Sequence, residues 1–306
     1  MKKLSMFLML VVALMTFASC GGNASKKAEP QNENLPVALQ LYSVRDDMGK
    51  DFKGTLQKVK ELGYDGVEFA GLFGNTPEQI KAWCAEIGLN PISAHVPLAE
   101  MLEDIDKVIA DYKAIGCEYI VVPYVTEERR PEGDKFMQMI DEIRSVGQKA
   151  KEAGLVLLYH NHDFEFAKTP AGECGLDYLY SAVPADLLQT ELDLCWVKYA
   201  GQEPAAYLLK YSGRSPVVHL KDYYASGEQK EDPYALIGLN EGEKKENKAF
   251  EFRPLGHGVQ DVPALVEAAK KAGSKWLVVE QDQPSLEKTP LECAAMSMET
   301  LKGLKK

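Results

Sequence analysis

One repeated alternation constrains what this chain can fold into. From Pro36 onward, short runs rich in β-branched and aromatic residues give way to longer amphipathic stretches, eight times over. The runs are VALQLYS from Val37, DGVEFA from Asp65, NPISAHV from Asn90, YIVVPYV from Tyr119, LVLLYHNH from Leu155, LLQTELDL from Leu187, SPVVHLKD from Ser215 and KWLVVEQD from Lys275. Between them, segments such as TLQKVKELG, TPEQIKAWCAEIG and DVPALVEAAKKAG space apolar residues three and four apart and stop at glycine, as helices closed by a left-handed cap do. Thr76 and Asp261 stand where helix N-caps belong. Helix, glycine and apolar strand in that order are the unit of a parallel sheet. Eight units fit a closed (β/α)8 TIM barrel better than an open doubly wound sheet, which usually stops at about six strands. The fold class is α/β, with a single-domain barrel over residues 37–306.

The longest break in this rhythm runs from Tyr223 to Pro254. It is too long for a tight turn and reads as a functional loop after the seventh strand, shaping a substrate pocket or a contact in a homo-oligomer.

The N-terminus follows a different grammar. MKKLSMFLMLVVALMTFASC puts two lysines before an apolar stretch too short for a membrane span and ends in small residues before Cys20, the order of a removable signal peptide. FASC resembles a bacterial lipoprotein signal, in which the cysteine becomes the lipidated first residue. That resemblance implies a signal peptide over 1–19, a lipidated polar tether over 20–36 and a periplasmic lipoprotein anchored in a membrane, the outer one, through Cys20 alone. A plain secreted protein cut nearby is the alternative. Loss of Lys2 and Lys3 takes the formal charge from −11 to −13, which repels phosphate backbones and argues against a nucleic-acid partner. Cys84, Cys117, Cys174, Cys195 and Cys293 remain. Their odd number and lack of C-x-x-C spacing indicate neither a disulfide framework nor a zinc knuckle.

Active sites of such barrels are built at the C-terminal ends of the strands, and the polar residues of this chain sit there. Glu68 ends run two, His95 run three, His160 and His162 run five, Glu191 and Asp193 run six, His219 and Lys221 run seven, and Glu280 and Asp282 run eight. Members of each pair are two apart and so share a face. Buried there without partners, such groups would cost several kcal/mol in desolvation. His160, Asp193, His219 and Glu280, from four consecutive barrel strands, supply mixed nitrogen and oxygen ligands for Mn, Co, Zn or Mg. Two neutral imidazoles and two carboxylates leave a divalent site near neutral. Glu68 and His95 either hold substrate hydroxyls or hydrogen-bond loop backbone. His162 orients a ligand or touches substrate. Lys221 donates to a substrate oxygen, acts as a base if its pKa is depressed, or forms a salt bridge to Glu191 or Asp193. Trp196 and Tyr124 form an apolar wall for a sugar or simply pack. Asn161 faces the helix layer, Glu165 lies solvated in a loop, and the GHG of residues 256–258 is a turn entering a helix.

The pieces YHNHDFEF, ELDLCWV, VVHLKDY, PLGHGVQDVPAL and WLVVEQD resemble the xylose isomerase-like barrels, a family that includes sugar epimerases, hydroxypyruvate isomerase, inosose dehydratase and, more distantly, endonuclease IV. The resemblance spans Val37 to Leu304. It implies metal ligands at Asp193, His219 and Glu280, with His160 in the strand-five place where the epimerases carry a glutamate. That glutamate and the strand-eight one work as paired acid/base groups, so His160 puts a symmetrical two-base epimerisation in doubt. A one-base course stays open, in which a metal polarises a carbonyl and Glu280 or Lys221 removes the adjacent proton. The enolate is then reprotonated by an isomerase or epimerase, or loses a β-substituent in a lyase or dehydratase. The rival readings are a non-catalytic sugar-binding lipoprotein and a nuclease, the latter opposed by the negative charge.

Overall fold

A computed structural model describes residues 34–226 and 250–304. The signal segment, Cys20 and nearly all of the tether lie outside the described residues, as does the middle of the insertion after strand seven. All eight expected runs contain a strand: β1 (Val37–Gln40), β2 (Gly66–Phe69), β3 (Asn90–His95), β4 (Tyr119–Val122), β5 (Val156–His160), β6 (Gln189–Asp193), β7 (Val217–Leu220) and, after the ribbon β8 (Asp222–Ala225) and β9 (Phe250–Arg253), β10 (Trp276–Val279). The eight barrel strands pair in parallel in chain order, and β10 closes the ring between β7 and β1.

The helices are α1 (Arg45–Lys50), α2 (Phe52–Leu62), α3 (Pro77–Ile87), α4 (Leu98–Ile115), α5 (Phe136–Glu152), α6 (Gly175–Ala182), α7 (Leu194–Tyr199), α8 (Pro204–Lys210), α9 (Val262–Ala272) and α10 (Pro290–Gly303). Their apolar stripes and the outward faces of the strands make the main core. Thr76 accepts from Gln79 N in a full capping box, and Asp261 accepts from Ala264 N. No helix among the described residues is long and apolar enough to cross a membrane.

The barrel interior has two storeys set by the two-residue period of a strand. Ala38, Tyr119, Leu158, Val217 and Val278 belong to a buried apolar floor. Gln40, His160, His219 and Glu280 lie two residues further on than Ala38, Leu158, Val217 and Val278 and are all buried. At Gly66 a Cβ would stand 2.8 Å from Asn90 O and 3.2 Å from the Trp276 ring, so glycine makes room for the tryptophan in the floor.

The insertion departs from a plain loop. Its ends pair as the antiparallel ribbon β8–β9, whose Tyr223, Phe250 and Phe252 cluster with Trp196 and Cys195. The ribbon is tied to the GHG turn by one carboxylate. Asp222 Oδ2 accepts from the backbone N–H of Gly256 and Gly258 at 3.0 and 3.1 Å, and Oδ1 accepts from those of Gln260 and Tyr223 at 3.0 and 2.9 Å. A Cβ on Gly258 would fall 2.2 Å from Asp222 Oδ1. Asp222→Ala strips four donors of their acceptor, two at exposed positions that water can reach, and is expected to cost about 2 kcal/mol in urea unfolding. A loss below about 0.5 kcal/mol would show that the turn holds itself.

Candidate active site

The strand ends deliver five fully or almost fully buried carboxylates, Glu68, Glu191, Asp193, Glu280 and Asp282, to one place, with Lys221 as the buried lysine among them. Isolated charges at that depth are prohibitive, so the arrangement stands only because positive groups are interleaved. Lys221 Nζ meets Asp193 Oδ2 at 3.2 Å, Glu280 Oε2 at 2.9 Å and Asp282 Oδ2 at 2.9 Å. His219 turns Nδ1 to Glu280 Oε2 at 3.1 Å and Nε2 to Glu68 Oε1 at 2.7 Å. His160 turns Nε2 toward Asp193 Oδ2 at 3.7 Å and Nδ1 to Glu191 Oε1 at 3.1 Å. His95 Nε2 lies 2.7 Å from Glu191 Oε1 and 3.0 Å from Glu68 Oε1.

Proton affinities follow from these contacts. Burial opposes the charge on Lys221, but Asp282, Glu280 and Asp193 outweigh it and hold the ammonium well above the usual lysine range. Burial likewise opposes charge on His219 and His95. Glu191 and Glu68 overcome it, holding His219 well above its usual range and lifting His95 to about 10. His160 and His162 are kept neutral, first by burial and then by neighbouring positive groups. Burial pushes Asp282 up to about 6 against the pull of Lys221.

Each of His160 and His219 therefore aims one nitrogen at a quartet and gives the other to a carboxylate behind it, as metal-bound histidines do. The donor atoms of His160, Asp193, His219 and Glu280 lie within 4.8 Å of one another; neutral His160 is in the protonation state that ligation requires, and His219 would give up a proton to an ion there. These residues fit a divalent ion, which would share Asp193 and Glu280 with Lys221. A second group, His95, His160, Glu191 and His219, is equally close, but it reuses the opposite nitrogens of His160 and His219. Both groups have two members on the adjoining cleft, His160 with Glu280 and His160 with His95; the quartet is the better seat because it leaves His160 Nδ1 and His219 Nε2 to Glu191 and Glu68 behind it. Glu191 Oε2 is buried with no hydrogen-bond partner, while its Oε1 takes the contacts of His95, His160 and His219.

Not every expected role matches the placement. Glu68 is 0% exposed, and its oxygens are taken by Gln40, Ser93, His95 and His219. It supports the site from below and cannot hold a substrate hydroxyl. Trp196 is also 0% exposed and packs with Phe250 and Phe252 under Lys221, so it is no cleft wall. Lys221, with its charge reinforced, is a donor and not a base. It pairs with Asp193 as one alternative had it, and with Glu280 and Asp282, but not with Glu191. His95, His162 and Tyr124 do line the cleft. Asn161 ties β5 to β6, accepting from Asp193 N at 3.1 Å.

Glu165 is buried and not solvated: Oε1 accepts from Tyr159 Oη and Oε2 from His162 N, both at 2.8 Å. It fixes the backbone at His162, and no strand-end spacing could have pointed to it. Gln40, Tyr42, Ser93 and Asp282 also belong to the site. Gln40 and Asp282 were legible as polar groups in phase with the other strand ends, whereas Tyr42 sits past β1 in a short 3-10 turn.

Residues 56–304 match the profile of the xylose isomerase-like TIM barrel family. The chain belongs to that family. It is 22% identical over 280 residues to an inosose dehydratase of Lacticaseibacillus casei, with 81% of this chain and 88% of that one covered. It is 24% identical over 276 residues to an inosose dehydratase of Geobacillus kaustophilus, with 81% and 86% covered. Among solved structures, a sugar phosphate isomerase/epimerase from Parabacteroides distasonis superposes with a TM-score of 0.69 at 18% identity, covering 90% of this chain and 96% of that one.

Burial raises the Glu165 carboxyl to about 8, so the folded state binds its proton more tightly than the unfolded chain. Its protonated form is compatible with folding below the ordinary carboxyl range, and stability falls as pH rises from about 4.5 through 8. Glu165→Gln is expected to remove that part of the slope, its melting temperature gaining on the parent by the equivalent of a few kcal/mol between pH 5 and pH 8. Parallel pH profiles would show that Glu165 stays ionised in its pocket.

Proposed function

We propose that the protein is a divalent-metal-dependent enzyme that isomerises or epimerises a sugar derivative by moving the proton beside a carbonyl group. The quartet His160, Asp193, His219 and Glu280, open to a cleft on one side and backed by Glu68 and Glu191 on the other, carries this reading. Bound there, Mn, Co, Zn or Mg would supply Lewis-acid polarisation of the substrate carbonyl. The chain's own groups do the rest. Glu280, at the cleft wall, is placed to take the adjacent proton. Lys221, held by three carboxylates, keeps that wall fixed and presents its positive charge to developing oxyanion character. His95 and His162 face the same space and can hold substrate hydroxyls.

A second reading is elimination of a β-substituent from the same enolate. It is favoured by His160: a ligating imidazole has no free second oxygen, so a matching carboxylate base on strand five is missing. Asp282 meanwhile brings a second carboxyl to the Glu280 side. The inosose dehydratases among the relatives support this outcome. A non-catalytic sugar-binding protein would have no use for so costly a buried quartet.

Elemental analysis of the purified protein is expected to find about one divalent ion per chain, lost in Asp193→Ala. Equal and negligible metal in both, even after reconstitution, would overturn the reading. With keto sugars and keto-glycosides in D2O, the loaded enzyme should place deuterium beside the carbonyl if it isomerises and release the substituent if it eliminates. Glu280→Asn should slow either by about 100-fold or more. We also infer export as a Cys20-anchored periplasmic lipoprotein of the outer membrane, which mass spectrometry of the native N-terminus would test by finding or failing to find a diacylglyceryl cysteine.

A further inference from the structure

The cleft beside the quartet encloses about 370 Å³, a size that takes ligands larger than one sugar ring. Its floor is the charged cluster. The rest of its lining is largely of opposite character: Tyr42, Pro97, Tyr112, Pro123 and Tyr124, with Ala70 and Gly71 adding no polar side chain and Glu100 the one acid among them. Aromatic and proline faces are surfaces for flat apolar groups and for the C–H faces of sugars. Tyr42 is held in place from behind, since the Arg45 guanidinium lies 4.1 Å from its ring centroid while Arg45 Nη1 donates to the carbonyls of Tyr42 and Asp282 at 2.9 and 2.8 Å.

Among the described residues the same cleft offers a phosphate no unengaged cation. Its charged lining residues among those described are Glu100, Glu280, Asp282 and Lys221, besides the histidines, and the lysine ammonium already has three carboxylates within 3.2 Å. Arg45, beside the cleft, is committed to two carbonyls. Helix α4 starts at the rim, after Pro97, but carries Glu100 in its first turn, so its positive end faces an acid and not an incoming anion. Phosphate recognition uses unengaged guanidinium forks, lysines or helix N-termini, and among the described residues of the cleft each is occupied or countered.

We infer that the substrate is an unphosphorylated sugar derivative bearing a flat apolar group, in the manner of an aryl glycoside, with the sugar over the quartet and the apolar group against Tyr124 and Tyr42. This deepens the proposed function and rests on its placing of the sugar in this cleft.

The test is calorimetric binding of 4-nitrophenyl β-D-glucoside, D-glucose and D-glucose 6-phosphate to the full chain, parent and Tyr124→Ala, with metal content measured on the same samples. The aryl glycoside is expected to bind about ten-fold or more tightly than glucose, and glucose 6-phosphate no better than glucose even at low salt. Tyr124→Ala should erase the aryl advantage over glucose with metal content unchanged, and Tyr124→Phe should keep it. Tighter binding of glucose 6-phosphate than of glucose would overturn the inference, as would an aryl advantage that is absent or survives in folded Tyr124→Ala, or no binding of any of the three. An aryl preference without bound metal would leave this inference standing and remove the metal-dependent reading.

Discussion

The balance of charge inside the barrel is the constraint on which the rest of the site depends. Five carboxylates converge where water is excluded, and a carboxylate in such surroundings persists only with positive charge within a few ångströms. Lys221 answers three of them. His95 and His219 answer the two deeper ones by taking up protons that burial alone would deny them. A divalent ion in the quartet would supply the same kind of compensation from the cleft side. The lysine, the raised histidines and the metal seat are thus parts of one electrostatic problem, and the side chains in the lower layer belong to it as much as those that face the cleft.

The fold makes that concentration of charge tolerable by separating it from the hydrophobic interior in height. On β1, β5, β7 and β10 the inward position nearer the strand start is apolar and the next inward position is polar. The strand period puts them about 6.6 Å apart along the chain, so the floor is closed by packing before the charged storey begins. Gly66 serves this floor by admitting the Trp276 ring, and Glu68, two residues later on the same strand, opens the storey above. The barrel helices need carry none of the chemistry, and their apolar stripes bind the outer wall.

Much of this was legible beforehand because strands repeat and signal their ends. The eight runs, the Thr76 and Asp261 caps, and the grouping of His160, Asp193, His219 and Glu280 all follow from period and position, which survive any choice of loop. The roles of Glu68, Trp196 and Glu165 did not. Glu68 and Trp196 lie in the right part of the barrel, but depth decides their roles: Glu68 is below the cleft, and Trp196 is roofed over by a ribbon whose strands come from the insertion. Glu165 is drawn inward by Tyr159 and the His162 N–H, contacts made across a short 3-10 turn that carries no hydrophobic period. Periodicity reports the face on which a side chain lies and is silent on its height within the barrel.

The strand-five histidine has a consequence for its neighbours. A carboxylate at position 160 would approach the quartet with a charge of its own and would need no acceptor behind it. An imidazole brings no negative charge and must place a second N–H, and Glu191 Oε1 stands 3.1 Å from His160 Nδ1 to receive it. Were residue 160 acidic, Glu191 would be a like-charged neighbour in a buried space, unfavourable on the same physical grounds that now make it useful. His160 and Glu191 are therefore best understood as one unit spanning β5 and β6, paired in register across the two strands. His95 joins them through the same oxygen. The negative charge that a strand-five carboxylate would have placed at the quartet is set instead one layer deeper, where it orients the imidazole and leaves the cleft side to Glu280, Asp282 and Lys221.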